Sequence, residues 1–219
     1  MKINSYESFC SHLYVSRETY EKFEIYYETL SKWQKSINLV SKSTIDNIWV
    51  RHFLDSGQLY NFTKDIKGNI LDLGSGAGFP GLILAMMGNK NISVIESDQK
   101  KCTFMREIAM LTDTNVKIYN SRIEDLSFLK PTLITARALA PLNKLIKYVE
   151  NYIKKSPSNS QNIPKLLFLK GKSYKKELLE LSKTRDIKYQ VYQSITDEFG
   201  KILYINNVNV LNIKNEKEI

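Results

Sequence analysis

The 219-residue chain reads as an α/β protein: a mostly parallel sheet that ends in an antiparallel hairpin, preceded by a helical extension. Three features predict this. From Gly68 onward, short apolar runs alternate with amphipathic stretches, the pattern of successive βαβ units. Before that point apolar residues recur every three or four positions, as in helices that bury one face. Near the end, two strand-like runs face each other across Thr196-Asp197-Glu198-Phe199-Gly200, a hairpin signal.

Taken in order, Ser16 is a suitable N-cap for the first long helix, whose apolar stripe runs Tyr20, Phe23, Tyr27, Leu30, Trp33 and Ile37. A second helix is expected from Ser43-Thr44-Ile45-Asp46, a capping-box pattern, with Ile45, Ile48, Trp49 and Phe53 on one side. Both aromatic stripes read as core, a helical cap on the main domain. Strands are expected at 69–73, 91–96, 115–119, 131–136 and 165–170, joined by right-handed helical crossovers. The closing hairpin takes 188–195 and 201–210. The polar stretch SPSNSQNIP at 156–164 lies between a helix and a strand and reads as a surface connection. The chain thus divides into a helical extension over 1–62 and a main domain over 63–219.

Hydrophobic residues at 42% and charged residues at 25% are ordinary for a globular protein, but a net charge of +9 is not. Most of the excess falls between Asn143 and Gln190, where twelve lysines and arginines meet four acids. A polyanion such as nucleic acid fits that asymmetry, and so does a solvated surface in a chain rich in Lys, Asn and Ile. Cys10 and Cys102 are far apart and show no metal-ligand spacing. With no charged-then-apolar leader and no apolar run of membrane-spanning length, the expectation is a reduced, soluble, cytoplasmic protein with no metal and no membrane contact, acting as a monomer.

The most informative stretch is NILDLGSGAGFPG, residues 69–81. Glycines after a buried strand are needed where the chain turns tightly or a ligand must touch the backbone. Gly76-Ala77-Gly78-Phe79-Pro80-Gly81 satisfies the dinucleotide pattern GxGxxG, and Glu96 stands where a ribose-binding acid would. S-adenosylmethionine also has a ribose, so neither feature separates a nicotinamide oxidoreductase from a methyltransferase. Asp72 does, because a carboxylate in that place repels pyrophosphate but attracts a methionine amino group. Pro80 does too, since it removes a backbone donor where phosphate would need one. The terminal hairpin points the same way, and S-adenosyl-L-methionine is the expected cofactor.

Five segments in order, INLVSKSTIDNIWVRHFLDS, ILDLGSGAGFPG, SRIEDL, ITARALAPL and LFLKGK, resemble the bacterial small-subunit rRNA guanine-N7 methyltransferase family, also known as glucose-inhibited division protein B. The resemblance covers most of the chain. It implies a class I, Rossmann-like methyltransferase fold with a seven-stranded sheet behind an N-terminal helical extension. The implied reaction is methylation of guanine N7 in the decoding-region loop of 16S rRNA, on free RNA or the small ribosomal subunit. Carried over position by position, cofactor contacts fall on Gly74, Phe79, Ile123, Glu124 and Arg137. Where the family usually has a short glycine-bearing turn, this chain has SPSNSQNIP, a surface change that bears on RNA contacts more than on catalysis.

On this reading Asp72 and Gly74 hold the methionine end, Glu96 the ribose, and Ile123 with Glu124 the adenine, with Gly76 also against the cofactor. Ile123 is equally suited to core packing, and Glu124 to a helix start. Arg137 suits the methionine carboxylate, an RNA phosphate or a structural salt bridge. Guanine N7 has a free lone pair, so no residue need remove a proton and neither cysteine need react. Acceptor-side candidates are Arg51, His52 and Asp55, with Lys100, Lys101, Lys170 and Lys172 on phosphate. Arg51 and Asp55 are also spaced to pair on one helix. A noncatalytic RNA-binding or ribosome-assembly factor on the same fold is the remaining alternative.

Overall fold

The computed structural model describes residues 2–126, 129–155 and 163–210. Seven strands form one sheet in the order β3-β2-β1-β4-β5-β7-β6. These are β1 (Asn69–Leu73), β2 (Ile92–Glu96), β3 (Lys117–Asn120), β4 (Pro131–Arg137), β5 (Lys165–Lys170), β6 (Arg185–Gln193) and β7 (Lys201–Val210). The first five pair in parallel, and β7 runs antiparallel to both β5 and β6, as the hairpin signal predicts. The turn at 196–200 joins β6 to β7. Most of the stretch 156–164, up to residue 162, lies outside the described residues.

The helices are α1 (Tyr6–Cys10), α2 (Arg17–Trp33), α3 (Lys42–Ile45), α4 (Asp55–Gly57), α5 (Tyr60–Thr63), α6 (Gly81–Met86), α7 (Gln99–Leu111), α8 (Leu142–Lys154) and α9 (Tyr174–Ser182). They cover both faces of the sheet. On one face Phe9, Phe23 and Leu30 of the extension pack with Leu82 of α6, Phe104 of α7 and Ile70 of β1 in a single core. On the other, Leu145 and Val149 of α8 and Leu178 of α9 pack with Leu71, Leu73 and Phe168. The alternation along β1 follows from the two-residue period of a strand, and it puts Asp72 on the face of the N-terminal helices. Among the described residues no helix is long and apolar enough to cross a membrane.

Ser16 caps α2 as expected, its hydroxyl accepting from the Thr19 N–H at 3.1 Å. The buried stripe of α2 differs by one residue: Tyr26 is fully buried, whereas Tyr27 is 36% exposed. At 3.6 residues per turn Tyr26 projects about 40° from Leu30 and Tyr27 about 60°, so the tighter stripe takes Tyr26. The second helix departs further. Its capping box at Ser43 does not form; α3 starts after Ser41, whose hydroxyl meets the Ser43 and Thr44 hydroxyls instead of the backbone. A π-helical turn then spans Trp49–Leu54 and runs into α4. Turns of this kind admit an extra residue and cluster at functional sites. The wider turn separates Arg51 from Asp55, which do not pair with each other and take other partners.

Candidate functional site

Strand order reverses at β1, with β2 on one side and β4 on the other, and open α/β sheets bind ligands in the crevice beyond such a switch point. The glycine loop leaves β1 there. Asp72, wholly buried, braces it from beneath: Oδ2 accepts from Ser75 Oγ at 2.5 Å and Gly81 N at 3.1 Å, and Oδ1 from Thr135 Oγ1 of β4 at 2.9 Å. Burial pushes this carboxyl up to about 6, against the opposing pull of those three bonds. Gly81 is held so closely that an added Cβ would collide with Val94 and press on Asp72.

Above this brace the loop opens. Gly76 has φ +59°, a conformation glycine adopts freely, and a Cβ there would meet no atom within 4 Å. Its N–H donates to Glu96 Oε2 at 2.9 Å, while Glu96 Oε1 takes the Asp98 N–H at 2.9 Å. A carboxylate offers about four lone-pair sites, so Glu96 keeps acceptor capacity toward the open side. From below, the Tyr26 hydroxyl donates to the Ala77 carbonyl, and the Tyr26 ring stacks on Phe79 at 5.1 Å and 7°. The platform therefore rests on the extension.

A second concavity of about 400 Å³ opens beyond β4 and β5, lined by Thr44, Arg51, His52, Asp55, Arg137, Lys170, Asp197 and Lys201 among others. Arg137, the last residue of β4, organises its floor. Its guanidinium donates to the Arg51 carbonyl at 2.9 Å and to His52 Nδ1 at 2.7 Å, lies 3.6 Å from Asp55 Oδ2, and sits 5.2 Å from the centre of the Phe79 ring. Burial pushes Asp55 up and Arg137 down, and each offsets the shift of the other. Because arginine only donates, His52 Nδ1 must be the acceptor; Nε2 then carries the proton and donates to Thr44 Oγ1 at 2.9 Å. Phe79 links the glycine loop to the pocket floor, its ring packing against Tyr26 on one side and near His52 and Arg137 on the other.

A family model described as rRNA small subunit methyltransferase G matches residues 19–205. The chain belongs to that family. Curated relatives named Ribosomal RNA small subunit methyltransferase G include those of Paramagnetospirillum magneticum, 42% identical over 89% of this chain and 92% of the relative, and Orientia tsutsugamushi strain Boryong, 43% identical over 87% and 92%. Among solved structures, magnesium protoporphyrin IX methyltransferase from Synechocystis with bound S-adenosylmethionine superposes with a TM-score of 0.58 at 11% identity, over 88% of this chain and 98% of that one. A ribosomal protein L11 methylase from Lactobacillus delbrueckii gives 0.50 at 16%, over 69% and 76%. Both likenesses concern the fold.

In this member of the rRNA small subunit methyltransferase G family, the residues singled out from sequence separate into groups. Gly74, Gly76 and Glu96 sit together at the open loop. Asp72 and Phe79 belong to the same region with buried side chains, Asp72 0% and Phe79 3% exposed. Their place is under the platform, where the Asp72 carboxylate is taken up by Ser75, Gly81 and Thr135. Ile123 and Glu124 form a short 3-10 turn, Ile123–Asp125, in which Ile123 packs partly on the second core and the Glu124 carbonyl accepts from Lys155.

The cations separate as well. Lys100 and Lys101 open α7 beyond β2, whereas Lys172 follows β5, three strand spacings or about 14 Å across the sheet. Lys172 is exposed. Lys170 is not a free phosphate ligand: its side chain is 9% exposed and its ammonium is held by Glu177 at 2.6 Å and the Ala140 carbonyl at 3.1 Å. Sequence reasoning misses Tyr26, Thr44, Ser75 and Thr135. The last three carry no spacing signal, and Tyr26 is hidden by the equally aromatic Tyr27 beside it.

His52 is 7% exposed, and burial, then Arg137 and Arg51, lower its pKa to about 3. Its ring is therefore expected to remain the neutral Nε2–H tautomer from pH 8 to pH 4.5. Ring 15N shifts of the labelled protein, assigned against His52→Gln, should stay flat over that range; a titration near pH 6.5 would contradict the Arg137 hydrogen bond.

Proposed function

We propose that this chain transfers the methyl group of S-adenosylmethionine to N7 of a guanine in the decoding-region loop of 16S rRNA. The observation that carries the reading is the connection, through Phe79 packed against His52 and Arg137, of an open-faced glycine loop to a polar pocket, in a chain whose family is named for the small-subunit rRNA. The open face at Gly76 suits a ligand that must approach the backbone closely. When bound there, the cofactor supplies an electrophilic methyl group on a sulfonium.

The chain's own residues then have distinct tasks. Glu96 accepts from ribose hydroxyls, and the Ile123–Glu124 turn borders the adenine. Arg51, His52, Asp55 and Arg137 shape the pocket for the guanine, with Lys172 and the half-exposed Arg51 toward phosphate. Guanine N7 carries a free lone pair, so no residue of the chain would have to remove or supply a proton in the chemical step. A neutral His52 locked by Arg137 agrees with that, because it is poorly placed to act as an acid or base. Rate enhancement then comes from alignment, for which effective molarities correspond to about 7–11 kcal/mol. N7 lies in the deep major groove of A-form RNA, so the target base must be unstacked. The reading extends to a monomeric enzyme that acts on its RNA in the cytoplasm.

Labelled S-adenosylmethionine should give methyl incorporation into small subunits, or their naked 16S rRNA, taken from a strain lacking the modification. Binding of subunits without any incorporation would instead favour an assembly factor.

A further inference from the structure

Phe199 is 59% exposed at the tip of the β6–β7 turn, yet the turn that carries it is held firmly. Arg51 donates to Asp197 at 2.9 Å, Thr196 to Asp55 at 2.6 Å, and Gln58 both donates to Ser194 at 3.1 Å and accepts from the Ile195 N–H at 2.9 Å. Phe199's own N–H donates to Asp197 Oδ1 at 2.9 Å. Its neighbours Asp197, Gly200 and Lys201 line the pocket beyond β4 and β5. An exposed apolar ring is thus carried on a turn that borders a polar cavity and is held by bonds to the π-helical turn and α4, which supply Arg51 and Asp55.

We infer that Phe199 is a stacking platform for an unpaired RNA base of the substrate loop, set at the pocket mouth while the guanine enters. The inference rests on the rRNA methyltransferase reading. Single-stranded bases lose their neighbours when splayed and regain contact on aromatic faces, a sequence-tolerant interaction that needs a rigid exposed ring. Lys201 lines the same pocket and exposed Lys172 follows its lining residue Gly171, so both supply charge of the sign a phosphate backbone requires. Phe199 is a positioning residue for substrate and has no part in the chemical step.

The test uses Phe199→Ala, Phe199→Leu and Phe199→Trp in the full chain. Alanine and leucine should lower kcat/KM for 16S rRNA by about 5- to 150-fold, mainly through KM, with S-adenosylmethionine affinity unchanged; tryptophan should retain activity. Adding an RNA hairpin with the guanine-bearing loop should quench the extra indole fluorescence of Phe199→Trp, measured against the wild-type background of Trp33 and Trp49. Wild-type activity together with an unchanged KM in the alanine variant would overturn the inference, as would indole emission from Phe199→Trp that responds to ribosomal protein but not to RNA. A wild-type enzyme that methylates nothing would instead overturn the functional reading on which it rests.

Discussion

Asp72→Ala is expected to lower methyl transfer by roughly 100-fold or more and to destabilise the protein by about 2–5 kcal/mol, whereas Asp72→Asn keeps activity within about tenfold. Alanine strands the buried Gly81 N–H and removes the acceptor of two buried hydroxyls. Asparagine can offer its oxygen to Ser75 and Gly81 and its amide to the Thr135 hydroxyl, so the brace survives without its charge. If the carboxylate instead acted on the cofactor by charge, the asparagine variant would be as inactive as the alanine one.

Acid pH provides a second check on the same group. Its pKa is raised from 3.8 to about 6 in the folded protein. The folded state therefore holds a proton that the unfolded chain has released, and the resulting stability is full below pH 3.8 and lost as pH rises through 6. Relative to Asp72→Asn, the wild type should lose on the order of 3 kcal/mol between pH 3.8 and 6. Urea unfolding of the pair across that range reads it directly. Comparing the two proteins removes the opposite slope from His52, whose pKa, lowered to about 3, withdraws stability as pH falls below 6.5.

Arg137→Ala should be the most damaging change in the pocket beyond β4 and β5. It leaves Asp55, whose side chain is 19% exposed, without its cation, and removes the donors held by His52 Nδ1 and the Arg51 carbonyl. Breaking one side of a mostly buried pair costs about 3–5 kcal/mol. Methyl transfer should fall by roughly 100-fold or more, and the lost cation should move the His52 pKa upward. Arg137→Lys restores charge but not the planar fork that reaches three acceptors, so it should recover stability better than rate. Thermal unfolding and single-turnover methylation of both variants test this; an alanine variant with wild-type stability would show that the network is not what holds the pocket.

How much of this is legible in the sequence depends on the kind of signal. The parallel strands are readable because each contains a short apolar run near turn residues, and the hairpin because TDEFG separates two runs of strand-like alternation. Strand edges differ by up to three residues, as at β6, where exposed polar positions carry no burial pattern. The π-helical turn is not readable: Arg51 and Asp55 look like an ordinary helical pair until a distant turn supplies Asp197 and a distant strand supplies Arg137. The role of Asp72 is half visible. Its carboxylate announces the loop, but beside the local Ser75 its partners are Gly81, across the folded loop, and Thr135, brought from β4 by tertiary packing. Lys170 misleads because a lysine in a basic region looks solvated, and Glu177, seven residues on, becomes its partner only once α9 folds against β5.

The most direct test of the central claim is to digest small-subunit rRNA after reaction with labelled S-adenosylmethionine and locate the label. The expected product is 7-methylguanosine at one position in the decoding-region loop, lost in Asp72→Ala and Arg137→Ala. Label on another base, on another atom of guanine, or on ribosomal protein would contradict it.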